Sequence, residues 1–171
     1  MAGTYACLLF PRILPIVFFG AEFPPWKAGT ASGIEAVKRM IKILLVEDSK
    51  FLRLATERAL ARAGYEMSSA SDGDEALRIA PIKLPDLILL DMLLPKMSGL
   101  EVLKELKKNP VTKAIPVVVI TGMAQKNAER LQQDGAAGFL EKSSLELDKG
   151  SERLLTAVRE IVEKLPARSA S

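Results

Sequence analysis

The sequence has no histidine and one cysteine, Cys7. Without imidazole there is no Ser-His-Asp or Cys-His nucleophile, no histidine metal ligand and no phosphohistidine in these residues. One thiol cannot form a disulfide within the chain, and a lone cysteine is compatible with a reducing compartment. Aromatic residues are scarce at 5%, and neither sign of charge dominates: 24 Lys and Arg face 21 Asp and Glu, a formal +3. That balance gives no reason to expect nucleic acid as a direct partner. The available chemistry therefore rests on carboxylates, lysine, arginine and hydroxyls. At 171 residues and 49% hydrophobic content, the chain has the size and core material of one ordinary domain.

The averages conceal two kinds of polypeptide. Residues 1–40 hold six of the nine aromatics (Tyr5, Phe10, Phe18, Phe19, Phe23, Trp26) and four of the ten prolines. They carry four bases against two acids, so two of the three excess positive charges lie here. The apolar stretch 7–19 is broken by Pro11, Arg12 and Pro15. It is shorter than the roughly 20 residues a membrane-crossing helix needs. Arg12 also interrupts what would be the apolar segment of a secretory signal, and no positive charge precedes it. A disordered tail and a weak membrane or partner anchor are the competing readings. A misplaced start is the third, since Met40 opens directly onto an apolar strand, Ile41-Lys42-Ile43-Leu44-Leu45-Val46; we expect the leader over 1–40 to be inert, disordered or artefactual.

Beyond the leader, short apolar runs alternate with amphipathic segments. Strands are expected over 42–46, 65–70, 87–90, 117–120 and 138–140. Helices are expected over 49–63, 74–79, 100–108 and 125–133, with a last one whose apolar face runs from Leu154 to Leu165. In the first helix, Leu52, Ala55, Ala59, Leu60 and Ala63 share a face; Ser49 suits the N-cap and Gly64 the stop. Asp72-Gly73 reads as a turn. Five strands alternating with five helices over about 125 residues is the pattern of an open parallel sheet covered on both faces. Such sheets bind ligands at the carboxyl ends of their strands.

Four of the five strands run directly into a reactive residue: Glu47-Asp48, Asp91, Thr121 and Glu141-Lys142. Convergent carboxylates repel unless a cation joins them. A hard divalent ion with oxygen ligands suits them, and Mg²⁺ commonly completes its shell with water and a phosphate. Lys142 and Thr121 are suited to phosphoryl oxygens, and a carboxylate can act as nucleophile to form an acyl phosphate. Asp91 stands alone at a central strand end and is the candidate nucleophile. Taken singly, each residue has a plainer reading: Asp48 as a cap of the following helix, Lys142 as a surface lysine. The placement at four strand ends is what argues for a site.

With these motifs, Ile43-Leu44-Leu45-Val46-Glu47-Asp48, Asp91-Met92-Leu93-Leu94-Pro95-Lys96-Met97-Ser98-Gly99, Val119-Ile120-Thr121-Gly122 and Gly138-Phe139-Leu140-Glu141-Lys142, the chain resembles the receiver domains of bacterial two-component response regulators. The resemblance covers 41–165, leaving 166–171 as a short tail. It implies a doubly wound, flavodoxin-like α/β fold, a five-stranded parallel sheet in the order 2-1-3-4-5. It implies that Asp91 accepts a phosphoryl group from a sensor histidine kinase or a phosphotransfer protein. Glu47 and Asp48 would hold Mg²⁺ with Asp91 and the backbone carbonyl of Leu93. Thr121 and Lys142 would bind the phosphoryl oxygens, and Thr121 and Phe139 would move as a switch; for Phe139 an ordinary core aromatic is the plainer reading. The resemblance further implies a cytoplasmic signalling module rather than an enzyme, acting on a downstream protein that the sequence does not name. A stand-alone, single-domain regulator without a membrane span is expected, and dimerisation through the switch face is left open.

Two readings compete. A pseudo-receiver would bind partners without phosphorylation, but every chemical residue of the motif is present. An aspartyl-phosphate phosphatase would need a second aspartate at Leu93, and a nucleotide binder would need a glycine-rich loop after the first strand. Two departures from the family stand out: Ser143 follows Lys142 where proline is usual, and the dephosphorylation-tuning positions hold the apolar Leu93 and Met123. Apolar groups position an attacking water poorly. An acyl phosphate at Asp91 is therefore expected to be long-lived, and hydrolysis as fast as in short-lived chemotaxis-type receivers would contradict this.

Overall fold

The computed structural model describes residues 40–122, 128–142 and 151–164. Five strands and five helices alternate along it: β1 (Lys42–Val46), α1 (Lys50–Arg62), β2 (Glu66–Ala70), α2 (Gly73–Lys83), β3 (Leu87–Asp91), α3 (Gly99–Lys108), β4 (Val117–Thr121), α4 (Ala128–Gln133), β5 (Gly138–Glu141) and α5 (Ser151–Glu163). The sheet is wholly parallel and ordered β2-β1-β3-β4-β5, as expected.

The apolar runs of β1, β3 and β4 reflect burial on both faces. Side chains alternate along a strand, so each run feeds two cores. Leu44, Val46, Ile88, Leu90, Val117 and Val119 enter one core with Ala76, Ala80, Val102, Leu103 and Leu106. Ile43, Leu45, Leu87, Leu89, Val118 and Ile120 enter the other with Leu60, Leu154, Val158 and Ile161. α2 and α3 thus cover one face, and α1 and α5 the other. β2, on the sheet edge, is more polar and only its last residue, Ala70, is buried.

The helices depart from expectation in three places. Asp72-Gly73 is not a free turn: Asp72 is the N-cap of α2, its side chain accepting from the Glu75 amide, and Gly73 is the first helical residue. α2 also runs past the expected end at residue 79, through Pro81 to Lys83. Proline removes one amide from the ladder. The helix nevertheless buries Ala80 and closes at Leu84 with a left-handed cap, where the Leu84 amide donates to the Ala80 carbonyl. In α1 the buried positions are Thr56 and Leu60. The inner stripe therefore passes through Thr56, while Ala55 and Ala59 are half-buried flanks. Of the expected 125–133 helix and the Leu165 end of the last helix, residues 125–127 and 165 lie outside the described residues, as does the whole of 1–39.

The polarity of the sheet sets where function can lie. The chain leaves β1 toward the β2 edge and then crosses back to β3 on β1's other side, so the winding reverses between β1 and β3. Their carboxyl ends, carrying Glu47-Asp48 and Asp91, border the resulting crevice.

One contact fixes the exit from β3. Gly99 starts α3, and its amide donates to the Met92 carbonyl at 3.1 Å. A Cβ at this position would collide with the Asp91 carbonyl oxygen and lie 2.7 Å from the Met92 Cα. Both obstacles are backbone and cannot rotate away. Gly99→Ala is therefore expected to destabilise the fold by about 2–3 kcal/mol in urea unfolding; a loss under about 0.5 kcal/mol, the range of neutral surface changes, would contradict it.

Candidate functional site

The site forms where β1, β3 and β5 end. Asp91, the last residue of β3, is 1% exposed. One of its carboxylate oxygens accepts from the Leu93 amide at 3.1 Å, and the other from the Lys142 ammonium at 2.5 Å. Lys142, just beyond β5, also reaches Glu47 Oε1 at 3.3 Å. Glu47, equally buried, accepts from the Ser49 amide at 3.2 Å through that same Oε1. Its other oxygen, Oε2, is buried with no protein partner. Asp48 is exposed at the mouth. It does not cap α1; Ser49 does, accepting from the Leu52 amide.

Glu47, Asp48 and Asp91 can each turn a carboxylate oxygen to within 4.8 Å of the other two. An all-oxygen, anionic donor set of this size suits a hard divalent cation, and the partnerless Glu47 Oε2 is a ligand atom in need of one. The residues present fit Mg²⁺.

Electrostatics agree with the geometry. Burial, reinforced by the Asp91 charge, raises the Glu47 pKa above its ordinary value; Lys142 and the Ser49 amide offset this only in part. For Lys142, desolvation acts to lower the pKa, but the bond to Asp91 and the charges of Asp91 and Glu47 outweigh it, and the ammonium is held above its ordinary range. The lysine acts as an internal counter-ion.

Thr121 ends β4 in register with Glu141, on the same sheet edge and half-buried. Phe139 is 1% exposed and belongs to the core with Val117, Val119, Leu131 and Ala136, the inward side of the sheet. Leu93 turns its side chain outward, 75% exposed. Met123 and Ser143 lie outside the described residues.

The chain is similar to known proteins. A family profile described as "Response regulator receiver domain" matches residues 43–158. The chain belongs to that family. The receiver is 38% identical over 133 residues to the response regulator PleD of Caulobacter vibrioides, covering 76% of this chain but only 29% of PleD. It is 38% identical over 101 residues to the polar-differentiation response regulator DivK of Brucella anthropi, covering 58% of this chain and 82% of DivK. Among solved structures, the chemotaxis protein CheY4 of Vibrio cholerae superposes with a TM-score of 0.65 at 31% identity, over 72% of this chain and 99% of CheY4. The flavodoxin-like receiver fold is thereby established.

Three contributors escaped the reading of the sequence. The Leu93 amide donates to Asp91, a backbone role that residue type does not reveal. Gly99 sits inside a quoted motif, and its need is seen only against the backbone of Asp91 and Met92. Arg53, on the first turn of α1, donates to the Glu47 and Asp48 carbonyls. Its six-residue distance from Glu47 was the available signal. Among the described residues no helix is long and apolar enough to cross a membrane.

The raised Glu47 pKa has a testable consequence in metal-free protein. Folded Glu47 binds a proton more readily than unfolded Glu47. Its contribution to stability is therefore most favourable at acid pH and is lost as pH rises through the raised pKa. Glu47→Gln keeps an oxygen for Lys142 and Ser49 but removes the buried charge. With EDTA present, the variant should be more stable than the parent at about pH 7, and the gain should vanish by about pH 4. Urea unfolding across that range checks this; a gain that grows toward acid would contradict it.

Proposed function

We propose that this receiver is a Mg²⁺-dependent phosphoryl acceptor, with Asp91 as the acceptor. The observation that carries this reading is the state of Asp91. A carboxylate is buried at a switch-point strand end, gripped by Lys142 and the Leu93 amide, beside a buried Glu47 oxygen with no protein partner. Burying such a group without pairing is costly, and a site of this kind is explained by the charge it receives.

In this reading Glu47, Asp48 and Asp91, with the Leu93 carbonyl, hold Mg²⁺, which supplies the positive charge that lets an anionic phosphate approach three carboxylates. The amide of Leu93 orients one Asp91 oxygen, leaving the other to attack. That oxygen forms a bond to phosphorus. The bond from phosphorus to the donor breaks, and its electron pair leaves with the donor; a leaving imidazole takes up a proton, whereas a leaving carboxylate departs as the anion. The donor is a phosphohistidine on a kinase or phosphotransfer protein, or a small acyl phosphate. Lys142 moves its ammonium from Asp91 to a phosphoryl oxygen, so its charge is not left buried alone. Thr121 at the β4 end donates its hydroxyl to another.

The output is a change of binding face. Thr121 is drawn toward the phosphate, and the surface of α4, β5 and α5 repacks around Phe139. Phe139 is already buried in the core beside Leu131, so its part on this reading is to repack rather than to turn inward. A downstream protein reads the altered face. The receiver domain, on this reading, is residues 41–165.

Acetyl phosphate with Mg²⁺ tests the acceptor directly. Intact mass is expected to rise by one phosphoryl group in the parent and not in Asp91→Asn, with the adduct lost when EDTA replaces Mg²⁺. An unmodified parent under these conditions would favour a phosphorylation-independent pseudo-receiver. An adduct that persists in Asp91→Asn would place the acceptor elsewhere.

A further inference from the structure

Three residues join β1 to α1, and the first two, Glu47 and Asp48, pose a positioning problem. Glu47 and Asp48 lie after the last sheet residue, Val46, and before the first helical residue, Lys50. The Glu47 amide still joins the sheet, donating to the Ala70 carbonyl at 3.1 Å. The first helical-type bond onward is from the Arg53 amide to the Ser49 carbonyl at 2.8 Å. The carbonyls of Glu47 and Asp48 fall between these two ladders, and among the described residues no backbone amide donates to either. Their peptide planes set where both carboxylates point. A pair of unclaimed carbonyls would leave those planes free to rotate.

Arg53 fills the gap. One guanidinium nitrogen, Nη1, donates to the Glu47 carbonyl at 2.6 Å and to the Asp48 carbonyl at 3.2 Å. The side chain is half-buried on the first turn of α1, one turn after the Ser49 cap. Its target is notable. A cation beside three acidic side chains would ordinarily pair with a carboxylate, but these bonds go to main-chain oxygens. Arg53 therefore leaves the three carboxylates to other partners while fixing the backbone beneath two of them. Charge-assisted bonds to carbonyls are stronger than neutral ones, so the clamp is stiff. The groups that hold ligand residues in place typically contribute 10–100-fold to metal affinity.

We propose that Arg53 is a positioning residue for the cation site: its guanidinium locks the Glu47 and Asp48 carbonyls and so pre-aims two of the three ligand carboxylates. This rests on the reading of Glu47, Asp48 and Asp91 as a divalent-cation site. The clamp needs no contact with the ion and no part in the phosphoryl step. Its effect should appear in how tightly the ion is held, and little in the rate once the site is full.

Titration of the full chain with Mn²⁺, following the free-ion EPR signal, tests this at a temperature where every variant is folded by circular dichroism. Arg53→Met keeps the aliphatic stem and removes the donors; its Mn²⁺ dissociation constant is expected to rise about tenfold. Arg53→Lys can still reach a carbonyl and is expected to recover affinity to within about threefold of the parent. Acetyl phosphate labelling at saturating Mg²⁺ should stay within about twofold of the parent in both variants. A merely structural arginine would lower the unfolding temperature and leave Mn²⁺ affinity of the folded protein unchanged; that result overturns the proposal. Asp48→Asn separates the two levels. Weakened binding in Asp48→Asn with parental binding in Arg53→Met refutes the clamp alone. Parental binding in Asp48→Asn, Asp91→Asn and Arg53→Met refutes the cation site and the clamp together.

Discussion

Crowding of like charge at one edge of the sheet is the constraint around which this molecule is arranged. Three carboxylates whose oxygens can approach within 4.8 Å of one another stand at the ends of β1 and β3, two of them buried. At an effective dielectric of about 20, unit charges about 4 Å apart interact by about 4 kcal/mol, so the cluster cannot stand uncompensated. Lys142 supplies the internal compensation by bridging Asp91 and Glu47 from β5. One ammonium is shared among the cluster, and the Glu47 pKa is raised first by burial and then by the Asp91 charge. The site is built to take up further positive charge.

The rest of the fold makes that crowding tolerable. β3 and β4 are apolar up to their last residues and β1 is apolar after Lys42, and two helical layers bury them from both sides. A rigid sheet keeps the strand ends from splaying under repulsion. Where regular structure stops, individual contacts take over. Gly99 lets α3 start directly against the β3 backbone, the Leu93 amide holds Asp91, the Ser49 amide holds Glu47, and Arg53 bridges the two carbonyls between strand and helix. Each acts on the backbone or on one carboxylate oxygen, leaving ligand capacity elsewhere in the cluster.

Phe139 is where the core and the proposed switch would meet. As a fully buried aromatic among Val117, Val119 and Leu131 it is ordinary core. It also lies on β5, one residue past the strand's start and three before Lys142. A shift in Lys142 or in neighbouring Thr121 is thus only a few residues, along one strand or across one register pair, from the packing of that ring.

The sequence by itself pointed to the parallel α/β architecture, since five short apolar runs alternate with amphipathic segments as strands covered on both faces require. It also determined which residue types gather at the strand ends, because strand ends are legible from where apolar runs stop. It misjudged α2, stopping short of Pro81, because a proline near a helix end costs less than the burial of Ala80 and the Leu84 cap return. Only the tertiary structure decided that Lys142 spans from β5 to both Asp91 and Glu47, and that Arg53 secures the carbonyls beneath the acidic pair. Those contacts join residues distant in the chain or aim bonds at the backbone. Local pattern encodes periodicity and polarity, but it carries no information on which carbonyl a side chain meets after the sheet is assembled.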